Sequence, residues 1–350
     1  MGKTILQIVI VATIVVSSSS TALAIGQCPA IGQSTSCSIL ITIKPNGSLT
    51  FQTDPSVRPF DGIEDVLVGV TNQSGATVFG ISLTGSDIFG FDGDGVGTFI
   101  GNQGPTGYEG PGTSFSSINA NRGTVNFTNG LDDKGFIWFS LEGAPTQVRL
   151  SQRVTIDPGH GSSCAAVKQP VGTVGVTDYP ATSPPAGKLM EDVLTVAVAN
   201  RLNGILANQG FDVHLTKTDS VSCPTYLERG AIANKARSNI FISIHFNRPR
   251  INIFGIGSGT IAFYNSAKSS SQTLADLTAS AVSGTVGVNN RGSSADNNLA
   301  VLKTTTSRMT AILTEVGRLS APDEDIIHDP NSITRAAVGF TSGINTFLAQ

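Results

Sequence analysis

Charged side chains are scarce in this sequence, and basic residues are not in excess. Asp, Glu, Lys and Arg make up 13% of the 350 residues, and the formal net charge is −3 at pH 7. The lack of a basic surplus argues against nucleic acid as a partner, because nucleic-acid-binding domains need a cationic face. Glycine is abundant instead, with 39 residues, which favours a secreted and loop-rich protein.

A comfortable membrane-spanning run is also lacking near the start of the chain. The apolar stretch ILQIVIVATIVV after Lys3 is too short, and Ala22, Leu23 and Ala24 behind it are typical of a signal-peptide cleavage site. We therefore predict a signal peptide over residues 1–24 and a secreted or periplasmic mature protein without a membrane span. An uncleaved anchor is the alternative.

Cysteines are few, but their number is even. Cys28, Cys37, Cys164 and Cys223 favour disulfides in an oxidising compartment. Of the three possible connectivities we favour the local pair Cys28–Cys37, which leaves Cys164 and Cys223 for each other.

Residues 25–150 consist of short extended runs separated by turn residues. SILITIKPNGSLTF has two such runs around Pro-Asn-Gly, which indicates a hairpin, and no window shows a sustained helical period. This pattern predicts a β-sandwich-like accessory domain. Within it, Asp92 and Asp94 form the kind of oxygen-rich turn that can hold Ca²⁺. Two carboxylates fall short of a full ligand shell, so we interpret them as an acidic turn.

Residues 151–350 alternate strand-like segments such as RVTID and NIFISIHF with helix-like segments such as LMEDVLTVAVANRLNGILANQG. This alternation predicts an α/β domain with a mostly parallel sheet covered by helices on both faces. Sites in such sheets form at the carboxyl ends of the strands. His160, in VTIDPGHG, and His245, in FISIHFN, both fall at predicted strand ends.

Two glutamates join these histidines in a candidate catalytic metal site. Glu191 lies in the first turn of a predicted helix, on the apolar face, where an unpaired carboxylate is costly. His160, Glu191 and His245 make a ligand set that suits catalytic Zn²⁺ with water as the fourth ligand. Non-haem iron uses a similar triad, but no feature calls for oxygen chemistry. Glu315, in AILTEVG, ends a strand-like run and can take a proton from activated water, so the set predicts a hydrolase.

From about residue 152 to the end, the chain resembles the zinc-dependent N-acetylmuramoyl-L-alanine amidases. The matching segments, in the family's order, are TIDPGHG, EDVLTVAVANRLNGILANQGFDVHLTK, LERGAIANKARSNIFISIHFN, NNRG followed by LAVLK, and ILTEVG. The resemblance implies a catalytic domain over residues 151–350, with His160, Glu191 and His245 as zinc ligands and Glu315 as the catalytic glutamate. It also implies a peptidoglycan substrate, cut between the lactyl carbonyl of muramic acid and L-alanine.

Two departures from the family pattern concern substrate fit. The segment 161–189 is longer than the family pattern and is a candidate lid or self-blocking segment, and Arg318 stands where an aromatic residue is more usual. Cys164 is an alternative sulfur ligand for zinc. We expect His214 and Arg229 to be structural and His328 to be solvated.

Two other functions compete with the amidase hypothesis. One is a zinc peptidase that cuts the stem peptide of peptidoglycan. The other is a catalytically silent wall-binding protein, in which the β domain binds the wall. An activator or a wall ligand is an expected partner of that β domain.

Overall fold

The computed structural model describes residues 28–45, 47–101, 104–180, 186–248, 257–268 and 270–349. These residues form two compact units, and the division between them falls between Ser151 and Gln152. The predicted signal peptide, residues 1–24, lies outside the described residues. No helix in the described part of the chain combines the length and apolar character needed to cross a membrane.

The described part of the first unit contains eight strands and one short helix. They are β1 (Ile39–Ile43), β2 (Leu49–Thr53), β3 (Val66–Asn72), β4 (Val78–Thr84), α1 (Val96–Ile100), β5 (Thr113–Asn119), β6 (Arg122–Leu131), β7 (Phe136–Leu141) and β8 (Gln147–Leu150). Two four-stranded sheets result, with the strand orders β2-β1-β3-β7 and β5-β6-β4-β8. The antiparallel pairing of β1 with β2, in which Ile43 lies opposite Leu49, confirms the predicted hairpin.

Both sheets of the first unit contribute to one apolar core. Ile41 and Val70 of one sheet and Leu83 and Phe127 of the other are almost fully buried in the same cluster. Period-two alternation directs these side chains to one face of each strand, so the two inner faces share the core. Cys28 and Cys37 form a disulfide, as predicted.

The second unit alternates strands and helices. Its described elements are β9 (Arg153–Pro158), a 3₁₀ turn (Cys164–Val167), α2 (Glu191–Asn208), β10 (Asp212–Leu215), α3 (Tyr226–Lys235), β11 (Ile240–Asn247), β12 (Thr260–Tyr264), α4 (Ser271–Val286), β13 (Asn290–Ala295), α5 (Ala300–Lys303), β14 (Thr310–Arg318), α6 (Asp323–His328) and α7 (Ser332–Leu348). The six strands form one sheet in the order β10-β9-β11-β14-β12-β13. All neighbours are parallel except β12 and β14, so the sheet is mostly parallel, as predicted, with one antiparallel pair.

Helices cover both faces of this sheet because its strands are apolar on both sides. Ile242 and Ile244 pack in the larger cluster with α2, α4 and α7, whereas Phe241 packs in a second cluster with α3 and α5. The apolar stripe predicted for α2 is buried at Leu194 and Val198. This packing fixes the strand ends at which the candidate site residues lie.

Candidate metal centre

His160 and His245 emerge at the same edge of the sheet. Strands β9 and β11 are parallel neighbours, with Ile244 opposite Pro158, so the residues near both carboxyl ends are close in space. The two imidazole rings lie 4.7 Å apart between centroids, at an interplanar angle of 85°. The structure therefore brings together the two histidines that the sequence predicted to converge.

The turn that carries His160 depends on the glycines on either side of it. His160 itself has a left-handed backbone, with φ of 55°. A Cβ atom at Gly159 would overlap the ring of His245, and one at Gly161 would overlap the backbone carbonyl of Ser222. Only glycine allows this close approach of the turn to its neighbours.

Glu191 lies between the two histidines as the first residue of α2. It is 3% exposed, and its Oε1 lies 3.2 Å from His160 Nε2 and 3.1 Å from His245 Nδ1. The backbone N–H of Phe246 also donates to Oε1, at 3.1 Å, and that of Thr173 donates to Oε2, at 2.8 Å. Both oxygens of this buried carboxylate thus have polar partners, which are either backbone N–H donors or the two candidate co-ligands.

His160 and Glu191 influence each other's protonation, and His245 adds to the effect on Glu191. Burial alone would raise the pKa of Glu191, but hydrogen bonds and charge from His160 and His245 outweigh it and hold that pKa well below its usual range. Burial likewise opposes the charged form of His160, but its contact with Glu191 outweighs this and raises the pKa of His160. Glu191 is therefore ionised at neutral pH, as a metal-ligating carboxylate must be.

The donor atoms of these three residues fit a small divalent ion. One nitrogen or oxygen atom of each lies within 4.8 Å of the others. Ligands about 2.0–2.2 Å from a tetrahedral zinc ion lie about 3.4 Å from one another, close to the distances measured between Glu191 and each histidine. His160 Nδ1 donates to the carbonyl oxygen of Pro170 at 2.8 Å, which leaves the lone pair of Nε2 free to bind a metal.

Glu315 lies on β14 directly beside His245 of β11 in the parallel register. Its Oε2 is buried and has no hydrogen-bond partner within the described residues. Burial raises the pKa of Glu315 to about 7, against the attraction of His245. A carboxyl group with a pKa near neutrality can both accept and donate a proton, as general acid–base catalysis requires.

Asp157 and Arg229 form a buried ion pair beneath the site. Arg229 Nη1 lies 2.5 Å from Asp157 Oδ1 and donates to the carbonyl oxygen of Pro158 at 2.7 Å. Nη2 donates to the carbonyl oxygen of His160 at 3.2 Å, so the guanidinium fixes the backbone of the histidine turn. Arg229 has the structural role that we expected from the sequence, whereas Asp157 was not predicted, because its only signal was a carboxylate inside an apolar strand.

The segment after His160 is attached to the site at several points. Cys164 forms a disulfide with Cys223, as predicted, so its sulfur is not available as a zinc ligand. Pro170 and Thr173 contact His160 and Glu191 as described above, and Thr177 donates to Glu324 through its backbone N–H and its hydroxyl. This segment therefore supports the candidate ligands from outside.

Three other residues named in the sequence analysis make contacts with residues outside the group His160, Glu191, His245 and Glu315. His328 is half-buried, and its ring stacks on that of Tyr179 with 3.5 Å between the ring centroids. The prediction of a solvated side chain is therefore wrong. His214 Nε2 lies 3.4 Å from Asp212 on the same strand, in keeping with a structural role. Arg318 is 5% exposed, and its Nε donates to the carbonyl oxygen of Gly257 at 3.1 Å.

Comparison with known proteins places these residues in a family. The family model described as N-acetylmuramoyl-L-alanine amidase matches residues 154–346. A search of curated proteins found no match.

Several solved structures are similar to a little over half of this chain. An N-acetylmuramoyl-L-alanine amidase from Clostridium difficile 630 is 27% identical, covering 57% of this chain and 98% of that chain, with a TM-score of 0.46. The catalytic domain of CwlV, an N-acetylmuramoyl-L-alanine amidase from Bacillus (Paenibacillus) polymyxa var. colistinus, is also 27% identical, covering 57% and 98%, with a TM-score of 0.45. Because the family model covers more than half of the chain, the chain belongs to the N-acetylmuramoyl-L-alanine amidase family of hydrolytic enzymes.

Proposed function

We propose that this chain is a secreted, zinc-dependent enzyme that cleaves peptidoglycan between N-acetylmuramic acid and L-alanine. Membership of the amidase family supports the bond and the substrate. The observation that carries the metal assignment is the convergence of His160, Glu191 and His245, with their donor atoms within 4.8 Å of one another. Glu315 beside His245 supplies the acid–base group.

His160, Glu191 and His245 would hold the zinc ion, with His160 Nε2, Glu191 Oε1 and His245 Nδ1 as the facing atoms. When bound, zinc supplies Lewis-acid activation of water and of the scissile carbonyl. Pro170 orients His160, and the N–H groups of Phe246 and Thr173 orient Glu191. Such outer contacts fix the direction of each ligand.

Glu315 would move the proton during the reaction. Its carboxylate accepts a proton from the attacking water on Oε2, the oxygen without a hydrogen-bond partner in the described structure. The same carboxylic acid then donates that proton to the nitrogen of L-alanine as the amide bond breaks. A pKa of about 7 makes both transfers accessible at neutral pH, although a nearby cation would lower that pKa.

The rest of the chain fits a role outside the cytoplasm. We assign residues 1–24 to a signal peptide and residues 25–150 to a β-sandwich accessory domain. Two disulfides are the expected products of an oxidising compartment. An activator or a wall polymer is the proposed partner of the accessory domain.

Digestion of purified sacculi tests this function. We expect the protein to release peptides that carry a free N-terminal L-alanine, to lose this activity on chelation and to regain it with Zn²⁺. Cleavage inside the stem peptide would instead identify a zinc peptidase. Wall binding without any release of peptides would identify a catalytically silent wall-binding protein.

A further inference from the structure

Five carboxylates of the first unit form two overlapping groups, although they belong to three separate segments. They are Glu64 and Asp65 before β3, Asp92 and Asp94 before α1, and Glu142 after β7. Oxygen atoms of Asp65, Asp94 and Glu142 lie within 4.8 Å of one another, and so do those of Glu64, Asp92 and Glu142. Glu142 therefore belongs to both groups.

Strand pairing forces two of these carboxylates together. Strands β3 and β7 are antiparallel, and Val66 pairs with Leu141, so Asp65 and Glu142 are the next residues at the same end of the ladder. Like charges at opposite positions of a ladder destabilise a sheet. The fold tolerates this arrangement only if something neutralises the pair.

Asp65 is the member of the cluster that most needs a partner. Its residue is 1% exposed, and neither carboxylate oxygen has a hydrogen-bond partner within the described residues. Burial, together with the charges of Glu142, Asp94 and Asp61, raises the pKa of Asp65 to about 8. Its strongest charged neighbours are thus all carboxylates.

A proton would remove the charge of Asp65 but would not satisfy its hydrogen bonding. Neither oxygen of Asp65 receives a hydrogen bond within the described structure, so a proton on one oxygen would still leave the other without a donor. An unsatisfied buried polar group costs about 1–3 kcal/mol. Among the described residues, no ion pair with Lys, Arg or His involves any of the five carboxylates.

Neighbouring contacts hold the other carboxylates in place. Asp61 accepts the backbone N–H of Asp65 at 3.1 Å, which shapes the turn before β3. The hydroxyl of Tyr108, a fully buried residue, lies 3.0 Å from Asp92 Oδ1 and 2.8 Å from Asp94 Oδ1. Asp92 and Asp94, although exposed, are therefore both held by one buried side chain.

We propose that Asp65, Asp94 and Glu142, with Asp92 and Glu64 at the rim, bind one divalent cation that prefers oxygen ligands, with Ca²⁺ as the expected ion. Ca²⁺ takes 6–8 oxygen ligands from carboxylates and water, and it neutralises several carboxylates at once. The sequence supplied only Asp92 and Asp94, which is why it predicted an acidic turn. The tertiary structure adds the buried Asp65 and the shared Glu142.

Calcium binding to the full chain tests this site directly. We expect isothermal titration with CaCl₂, at constant zinc and ionic strength, to give saturable binding with a Kd no weaker than about 10⁻³ M. Trp138 is the only tryptophan and belongs to the first unit, so its fluorescence follows the unfolding of that unit. Saturating Ca²⁺ should raise that unfolding midpoint by about 5 °C or more.

Asp65→Asn and Glu142→Gln should each weaken Ca²⁺ binding at least tenfold and abolish the thermal shift. Asp133→Asn is the matched control, because it removes one charge from an exposed aspartate of the same unit outside the cluster. It should bind Ca²⁺ like the wild type. Absence of saturable binding up to about 10 mM Ca²⁺, or binding unchanged in both cluster variants, overturns the proposal.

Discussion

His245 of β11 and Glu315 of β14 occupy matched positions on adjacent parallel strands. Parallel neighbours lie about 4.8 Å apart in the backbone, so a candidate ligand and the candidate acid–base group stand side by side on one rigid sheet. A sheet holds catalytic groups more precisely than loops do. In this arrangement His245 would bind the metal and Glu315 would transfer the proton. Substituting each residue in turn tests these two roles separately.

Glu315→Gln should abolish turnover without removing the metal. The amide keeps the shape of the side chain but cannot accept a proton, so we expect a loss of about 10²–10⁴-fold in the rate of peptide release. Zinc content, measured by atomic emission on the purified variant, should match the wild type. Retained activity would remove Glu315 as the base, and loss of zinc would make it a ligand.

His245→Ala should remove the metal together with activity. We expect zinc affinity to fall more than about 100-fold, because even outer-shell changes at zinc sites cost about 10–100-fold. His214→Ala is the control, since His214 lies on the same sheet but contacts Asp212 outside the site. A His245→Ala protein that retained tightly bound zinc would contradict the ligand assignment.

Glu315 should also make the metal-free protein less stable as the pH rises. Its pKa in the folded protein, about 7, lies above its ordinary value of 4.5, so the folded state holds the proton more tightly. The stabilising effect of protonated Glu315 is complete below about pH 4.5 and is lost as the pH rises through 7.

The size of this effect follows from a comparison with Glu315→Gln in EDTA. At pH 8 the variant should have a free energy of unfolding about 3 kcal/mol higher than the wild type, and at pH 4 the two should agree. Urea denaturation followed by far-UV circular dichroism reports the second unit, which contains the long helices. An equal difference at both pH values would exclude titration of Glu315 as the cause.

Arg229→Ala should destabilise the second unit and weaken the metal site together. It leaves the carboxylate of Asp157 buried at 1% exposure without its cation, a change that costs about 3–5 kcal/mol. It also frees the backbone of His160, so we expect weaker zinc binding. Lys235→Ala, at an exposed residue of the same helix, should change stability by less than about 0.5 kcal/mol. Normal zinc affinity in a folded Arg229→Ala protein would show that Arg229 does not position the site.

Sequence patterns predicted a large part of the second unit because they encode local structure. The helix with Glu191 in its first turn, the strand that carries His245 and the alternation of strands with helices all follow from apolar periodicity. Periodicity carries no information about side-chain contacts from distant segments. It therefore missed Asp157 as the partner of Arg229 and Tyr179 as the partner of His328.

The residue types and their places at strand and helix ends can be read from the sequence, as His160, Glu191, His245 and Glu315 show. Which of these groups meet depends on how distant segments pack against one another. In the folded chain, Pro170 accepts a hydrogen bond from His160, and Asp65 lies opposite Glu142. The members of each pair are separated along the chain, so their proximity depends on strand register and on the path of the loops. The physical reason is that periodicity is fixed by neighbouring residues, whereas the neutralisation of a buried charge depends on every segment packed around it.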